Sequence, residues 1–295
     1  GTSFFTGWKF DSFLDPTKGI VDYLTSDAAF SAGLASVNTA GHAVLAVDTT
    51  PNLDASTNRS SIRIETNNNY NTGIFVIDAV HMPAVCGTWP AFWTVGPDWP
   101  NNGEIDIVEG VHTATENLMS IHTAPGCTMP LAGDETGTLR GSNNCDAAAT
   151  DDSGCGVASA QADNFGAPYN AAGGGVHIMK LDSTGISVWF FPRGGIPFDI
   201  FTNQPQPSGW GTPAANFPAS TCDPSEFFQN HVVVFDTTLC GTWAGSSGSW
   251  TGLTLGQSES CALSTGYDTC EEYVRAEGAA FADAYWEIKS VKVYQ

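Results

Sequence analysis

Positive charge is scarce in this chain. Lysine and arginine number 10 against 31 aspartates and glutamates in 295 residues, which gives a formal net charge of −21. Such a surface repels phosphate-rich polymers and anionic lipid, so neither nucleic acid nor a membrane surface is an expected partner. Long apolar runs are missing as well, which argues against a membrane-spanning segment. A neutral substrate would not be repelled.

Zinc-type cysteine spacing is also missing. None of the eight cysteines forms a CxxC pair, whereas an even number of cysteines in an acidic, lysine-poor chain predicts up to four disulfides and an oxidising compartment. Free thiols in an intracellular protein are the alternative, and the sequence leaves the pairing open. The chain begins with glycine, as removal of a secretory signal or trimming would both explain, and Asn58 starts an N-glycosylation sequon. We predict a secreted protein.

Helix patterns are few and strand patterns dominate. Ten segments rich in branched and aromatic residues are separated by Gly, Pro and Asn, and several alternate apolar with polar residues, as strands of sheets packed on one face do. The predicted strands are residues 42–48, 60–66, 73–81, 90–96, 104–110, 118–123, 176–182, 186–191, 231–236 and 286–294. One short helix is predicted over residues 269–278, with Thr269 as its N-cap and Gly278 as its end.

Two stretches lack strand patterns. Residues 124–175 and 193–229 are predicted to be long loops that disulfides hold in place, because they contain Gly, Pro, Asn and four of the cysteines. Such loops commonly build binding clefts. The sequence therefore predicts an all-β protein, a single antiparallel β-sandwich domain over residues 1–295, with long disulfide-held loops and at most a short helix.

The segment GEIDIVEG has three carboxylates at uneven spacing: Glu104, Asp106 and Glu109. In a regular strand Glu109 would point away from the other two and into the opposite layer, where an unpaired carboxylate is costly. One extra residue in the strand, a β-bulge at residues 107–108, would bring all three acids to one face. The spacing predicts that bulge.

No lysine or arginine lies between Arg63 and Arg140 to neutralise these acids. Three neighbouring carboxyl groups repel one another, so one should have a raised pKa and the others an ordinary or lowered pKa. A protonated acid beside an ionised carboxylate is what a retaining glycosidase requires. The alternative is a polar sheet face that is simply exposed to solvent.

Aromatic residues favour the glycosidase interpretation. Trp89, Trp93 and Trp99 precede the acids closely, and tryptophan rings stack on the apolar faces of sugars. At least one of Trp89 and Trp93 is expected in the core, since tryptophan is largely buried on average. Trp99 lies among prolines and asparagines and is the better candidate for a sugar platform.

The segments GTWPAFW and WPNNGEIDIVEG closely resemble the signature of glycoside hydrolase family 16, whose endo-acting β-glucanases have a concanavalin-like jelly-roll fold. Four further segments resemble secreted fungal members of that family, so the resemblance covers most of the chain. These segments are residues 15–24, 120–123, 176–194 and 284–294.

The resemblance implies a role for each acid. Glu104 resembles the nucleophile, Glu109 the general acid/base, and Asp106 the assisting acid between them. The spacing ExDxxE resembles laminarinases and mixed-linkage 1,3(4)-glucanases, and departs from the ExDxE of bacterial lichenases and plant xyloglucan endotransglycosylases.

The resemblance also implies substrate-binding residues. His122 resembles a histidine beside the catalytic face, with a purely structural histidine as the alternative. Arg63 resembles a sugar-contacting arginine, with a surface charge as the alternative. Trp243 is a candidate for lining the cleft, together with Trp93 and Trp99. No cofactor and no metal are predicted.

The expected function is therefore that of a monomeric, secreted, retaining endo-β-glucanase that binds β-1,3 or mixed β-1,3/1,4-glucan in an open cleft. A cell-wall glucan transglycosylase is the first alternative, because the same nucleophile serves both reactions. A non-catalytic β-glucan-binding lectin is the second, although a lectin would have no reason to keep all three acids.

Overall fold

Two large β-sheets form the framework of residues 3–295, the part of the chain that the computed structural model describes. The strands are β1 (Trp8–Phe10), β2 (Val21–Tyr23), β3 (Ala35–Val37), β4 (Ala43–Ala46), β5 (Arg59–Ser61), β6 (Arg63–Thr66), β7 (Gly73–His81), β8 (Thr88–Val95), β9 (Glu104–Glu109), β10 (Leu118–His122), β11 (Thr138–Arg140), β12 (Cys155–Ala158), β13 (Gly175–Asp182), β14 (Gly185–Pro192), β15 (Ala215–Pro218), β16 (Val232–Leu239) and β17 (Tyr285–Tyr294).

Short helical segments connect the strands. The α-helices are α1 (Ser26–Ser31), α2 (Gly166–Ala171), α3 (Phe198–Phe201), α4 (Pro224–Phe227), α5 (Gly241–Ala244), α6 (Ser247–Thr251), α7 (Cys261–Thr265) and α8 (Cys270–Ala276), and the 3-10 helices are Phe4–Gly7, Pro207–Gly209 and Gly278–Asp283.

The larger sheet, called the cleft sheet here, has the strand order β1-β6-β16-β8-β9-β10-β12-β11. The smaller one, the rear sheet, has the order β15-β14-β13-β7-β17-β4-β3, and its pairs are antiparallel like those of the cleft sheet. A separate pair, β2 and β5, is parallel. The predicted all-β antiparallel sandwich is confirmed.

The core lies between the two large sheets. Phe92 and Ile105 of the cleft sheet and Phe75 and Met179 of the rear sheet belong to one cluster of fully buried side chains. Alternation along β8 sends every second side chain towards this cluster, which leaves the intervening residues on the opposite face of the cleft sheet. That outer face carries the candidate site.

All eight cysteines are paired. The disulfides are Cys86–Cys261, Cys127–Cys222, Cys145–Cys155 and Cys240–Cys270. The Cys127–Cys222 bridge joins the two stretches predicted as long loops, and Cys145–Cys155 closes a smaller loop inside the first. Up to four disulfides were predicted, and the structure has four, with a pairing that the sequence left open.

The predicted loops contain more regular structure than expected. Strands β11 and β12 extend the cleft sheet from residues 124–175, and β15 edges the rear sheet from residues 193–229. Each is three or four residues long, which is too short to produce a recognisable period in the sequence. The number of short helices also exceeds the single one predicted, for the same reason.

Helix α8 matches that single prediction. Thr269 is its N-cap, and its hydroxyl accepts a hydrogen bond from the Glu272 backbone N–H. The helix ends before Gly278, where a Cβ would lie 2.1 Å from the Thr50 carbonyl oxygen, so only glycine fits the close approach. With seven residues α8 is the longest α-helix among residues 3–295, and none there is long and apolar enough to cross a membrane.

Candidate active site

Strand β9 contains the predicted bulge. Asp106 lies opposite Trp93 of β8, but the next residue of β8 in the ladder, Phe92, lies opposite Val108, so Ile107 is the extra residue. Ile107 and Val108 are both fully buried in the core. The bulge prediction is confirmed.

The bulge places Glu104, Asp106 and Glu109 on the outer face of the cleft sheet, and these three residues are called the carboxylate cluster from here on. All three line a cavity of about 410 Å³, whereas Ile105 between the first two is fully buried on the core side. Asp106 is only 1% exposed, so the central acid lies beneath its neighbours.

Each glutamate of the cluster accepts a hydrogen bond from an indole. Trp99 Nε1 donates to Glu104 Oε2, from a loop position where the ring is 42% exposed. Trp89 Nε1, on β8, donates to Glu109 Oε1 over 2.8 Å. Indole N–H groups only donate, and a donated hydrogen bond favours the ionised carboxylate.

Asp106 is held by the neighbouring strand β10. Ser120 Oγ donates to Asp106 Oδ2 over 3.0 Å, and His122 Nε2 lies 3.1 Å from the same oxygen. Antiparallel register explains both contacts, because Ser120 is opposite Asp106 and His122 is opposite Glu104. Glu104, Asp106 and His122 bring potential metal-ligand atoms within 4.8 Å of one another, although hydrogen bonds already engage the carboxylates. The absence of a metal site stays a prediction.

Burial and mutual repulsion raise the pKa of both glutamates. Burial and the charge of Asp106 raise the pKa of Glu104 to about 8 and that of Glu109 well above its ordinary value. Burial alone would lower the pKa of His122, but its hydrogen bond to Asp106 and the charges of the cluster raise it to about 10. One raised pKa among the three acids was expected, whereas both glutamates have a raised pKa; the reasons are the burial of each glutamate and the charge of Asp106 between them.

Arg63 is buried rather than on the surface. It is 7% exposed, its Nη1 lies 3.1 Å from Asp236 Oδ2, and its Nε lies 3.6 Å from Asp11 Oδ2. The guanidinium lies between the rings of Phe13 and Trp93, at 5.1 and 4.9 Å from their centroids. Arg63 lines the cavity, so the surface-charge alternative is wrong, and its contact with a sugar stays a prediction.

The expectation that Trp89 or Trp93 belongs to the core is wrong. Both are partly exposed and line the cavity with Ala91 and Val95. These four positions of β8 are two residues apart, so they share one face of the strand. The alternation of residues along β8 therefore indicates the position of both tryptophans better than the average burial of tryptophan does.

Trp243 lies beside the site. It belongs to α5 and packs edge-to-face against Trp89, with ring centroids 5.5 Å apart. The residue of α5 that lines the cavity is its neighbour Thr242. Contact of Trp243 with substrate stays a prediction, and the structure adds a contact with Trp89.

Sequence reasoning missed Ser120 and Asp236. Ser120 is two residues before His122 on β10, and this period of two was the available signal. Asp236 ends the predicted strand 231–236 but pairs with Arg63 across a separation of 173 residues, for which the sequence offered no signal.

A family model described as the XgeA-like catalytic GH16 domain matches residues 8–294. A probable glycosidase of Schizosaccharomyces pombe is 42% identical over 298 residues, covering 100% of this chain and 67% of that protein. A probable endo-1,3(4)-β-glucanase of Neosartorya fischeri is 42% identical over 300 residues, covering 100% of this chain and 44% of that protein. The chain thus spans two thirds of the first relative and less than half of the second.

Solved structures give the same assignment. GH16 laminarinase 16A from Phanerochaete chrysosporium, with β-glucans in both donor and acceptor sites, has a TM-score of 0.91 and 37% identity, covering 100% of this chain and 97% of that one. An elongating GH family 16 β-1,3-glucosyltransferase has a TM-score of 0.89 and 38% identity, with the same coverage. One neighbour is therefore named for hydrolysis and the other for transfer.

Proposed function

The chain belongs to glycoside hydrolase family 16, and we propose that it is an endo-acting, retaining β-glucanase that hydrolyses β-1,3 and mixed β-1,3/1,4-glucans. One observation carries the proposal: Glu104 and Glu109 flank Asp106 on one face of a bulged strand, and each accepts an indole hydrogen bond beside a cavity of about 410 Å³. Two carboxyl groups of this kind are the chemical requirement of retaining hydrolysis.

In the first step Glu104 attacks the anomeric carbon while Glu109 gives its proton to the leaving glycosidic oxygen. The pKa values of both glutamates are raised, so the pair is expected to share one proton, and the reactive form has Glu104 ionised and Glu109 protonated. In the second step Glu109 takes a proton from water, which attacks the anomeric carbon and releases Glu104. The hydrogen bond between His122 and Asp106 keeps the carboxylate cluster in place during both steps.

The tryptophans support a sugar substrate. Trp99 is exposed at the rim, and Trp93 presents a ring on the cavity floor above the Arg63 guanidinium. Flat aromatic rings suit the apolar faces of neutral sugars. We propose that Trp93, Trp99, Arg63, His122 and Trp243 contact the glucan.

Transglycosylation is the second candidate, and the likeness to an elongating β-1,3-glucosyltransferase favours it. Both reactions share the glycosyl-enzyme formed on Glu104 and differ in the acceptor, which is water in one and a sugar hydroxyl in the other. The surroundings of the acceptor therefore decide between them.

Four disulfides support an oxidising compartment and hence secretion. Asn58, the sequon residue, lies before β5 and donates a hydrogen bond to the Val21 carbonyl oxygen over 3.3 Å. We propose that residues 1–295 act as one catalytic domain and as a monomer, which light scattering would test.

The deciding experiment compares laminarin, barley mixed-linkage glucan, lichenan and carboxymethylcellulose, with products sized and their anomers followed by NMR. β-Configured oligosaccharides from the first three, and none from the cellulose derivative, are the expected result. Products longer than a supplied laminari-oligosaccharide would favour the transglycosylase. Binding without any cleavage would favour a lectin.

A further inference from the structure

Glu109 accepts one side-chain hydrogen bond within residues 3–295, and Trp89 supplies it. Trp89 Nε1 lies 2.8 Å from Glu109 Oε1. The ring is fixed by its place on β8 and by the edge-to-face contact with Trp243. The proposed hydrolysis gives Trp89 no task, although it contacts the acid that moves the proton.

The indole hydrogen bond distinguishes the two oxygens of Glu109. An indole N–H can only donate and does not titrate in water, so it always occupies a lone pair of Oε1. A carboxylic acid carries its proton on one oxygen, and the oxygen that accepts the N–H bond is better used as the carbonyl oxygen. Protonated Glu109 therefore carries its proton on Oε2.

We propose that Trp89 is a positioning residue for both proton transfers, fixing Glu109 so that Oε2 alone gives and takes the proton. The inference rests on the proposed function. In the first step the Oε2–H bond breaks and the leaving oxygen gains the proton as its bond to the anomeric carbon breaks and the Glu104 ester forms. In the second step water gives a proton to Oε2 and its oxygen replaces Glu104 on the anomeric carbon.

Trp93 offers a matched comparison. It lies four residues further along β8, on the same face and beside the same cavity. Its Nε1 donates to neither Glu104 nor Glu109, and the acid with which it interacts is Asp236. Trp93→Phe therefore reduces the ring area in the cavity without removing a hydrogen bond to either glutamate.

The test uses two substrates that differ in their need for a proton. Laminarin has a sugar leaving group that requires protonation, whereas 2,4-dinitrophenyl β-laminaribioside releases a stable phenolate that does not. For Trp89→Phe we expect kcat on laminarin to fall roughly 10- to 100-fold, part of what general acid catalysis contributes. Release of dinitrophenolate in the first turnover should change less than about threefold.

Trp93→Phe is the control, and we expect it to raise KM on both substrates by similar factors. Incorporation of 3-benzothienylalanine at position 89 replaces the indole by an isosteric benzothiophene, which removes the N–H and keeps the ring. This variant tests the inference if Trp89→Phe does not fold. Equal losses on both substrates with either change at position 89 would overturn the inference. A wild-type protein inactive on both substrates would instead overturn the proposed function and this inference with it.

Discussion

The cleft sheet buries two clusters of charged side chains that differ in how their charge is balanced. In the carboxylate cluster three acids share one titratable partner, His122, whose Nε2 contacts Asp106. In the second, called the arginine cluster, Asp11 and Asp236 share the permanent charge of Arg63. Arg63 of β6 and Asp236 of β16 line the same cavity as the carboxylate cluster, and β8 separates β16 from β9.

The difference shows which cluster can do proton chemistry. Burial raises the pKa of Asp236 to about 7 although Arg63 opposes the shift, and the guanidinium itself never titrates in the working range. The arginine cluster thus keeps a fixed cation under the Trp93 ring. The carboxylate cluster has one cation, His122, for three acids, so a carboxyl proton can be held and released there, which general acid/base catalysis requires.

The largest effect is expected from Glu104→Ser. Loss of the proposed nucleophile should lower kcat on laminarin by on the order of 10⁴ or more, while oligosaccharide binding persists because the rings of the cavity are untouched. Calorimetric titration with a laminari-oligosaccharide and rate measurements check both parts. Glu116→Ser removes an acid that pairs with Arg140 at the surface and should keep full activity. Undiminished hydrolysis by Glu104→Ser would refute the nucleophile role.

Breaking the arginine cluster should cost stability. Arg63→Met leaves Asp236 buried without its cation and Asp11 with only the exposed Lys9, so the free energy of unfolding should fall by about 3–5 kcal/mol. Urea denaturation measures this free energy of unfolding. The loss should be larger at pH 8 than at pH 5, because the two acids can be protonated at the lower pH.

The matched control for Arg63 is Lys9→Met. Lys9 also contacts Asp11, over 3.1 Å, but its side chain is 60% exposed, so its removal should cost at most about 1 kcal/mol. Equal losses from the two variants would mean that the buried pairing contributes nothing special.

Removing charge from the carboxylate cluster should instead raise the free energy of unfolding. The folded-state pKa of Glu104 is raised from 4.5 to about 8, so its protonated form favours folding. That stability is fully present below about pH 4.5 and is lost as pH rises through 8. The glutamine of Glu104→Gln cannot ionise, so at pH 8 the free energy of unfolding of this variant should exceed that of the wild type by about 1–2 kcal/mol. A gain of this size is common when active-site strain is relieved.

Thermal unfolding of Glu104→Gln between pH 4.5 and 8 checks this sign. The advantage over the wild type should grow with pH across that window. Glu116→Gln, at the surface, should show a nearly constant difference. A Glu104→Gln chain less stable than the wild type at pH 8 would contradict the repulsion argument.

Local patterns predicted the carboxylate cluster but not the arginine cluster. The spacing of Glu104, Asp106 and Glu109 required a bulge within six residues, and the structure has it. The arginine cluster joins Asp11, Arg63 and Asp236 from three distant segments, and no local period encodes such a contact. The longer strands were predicted because alternation is local, whereas six strands of three or four residues were missed and the disulfide pairing depends on the finished fold.

The smallest effect is expected from Ser120→Ala. Ser120 shares Asp106 Oδ2 with His122, so one of two hydrogen bonds to the central acid persists. We expect kcat/KM on laminarin to fall about 3- to 10-fold, the equivalent of about 1 kcal/mol. Ser187→Ala is the control: Ser187 Oγ donates to Asn216 Oδ1 over 2.9 Å on the rear sheet, so the variant loses a comparable hydrogen bond and should keep its activity. An equal loss of activity in both variants would mean that Ser120 acts through general stability, whereas a loss confined to Ser120→Ala would tie it to the protonation of the carboxylate cluster.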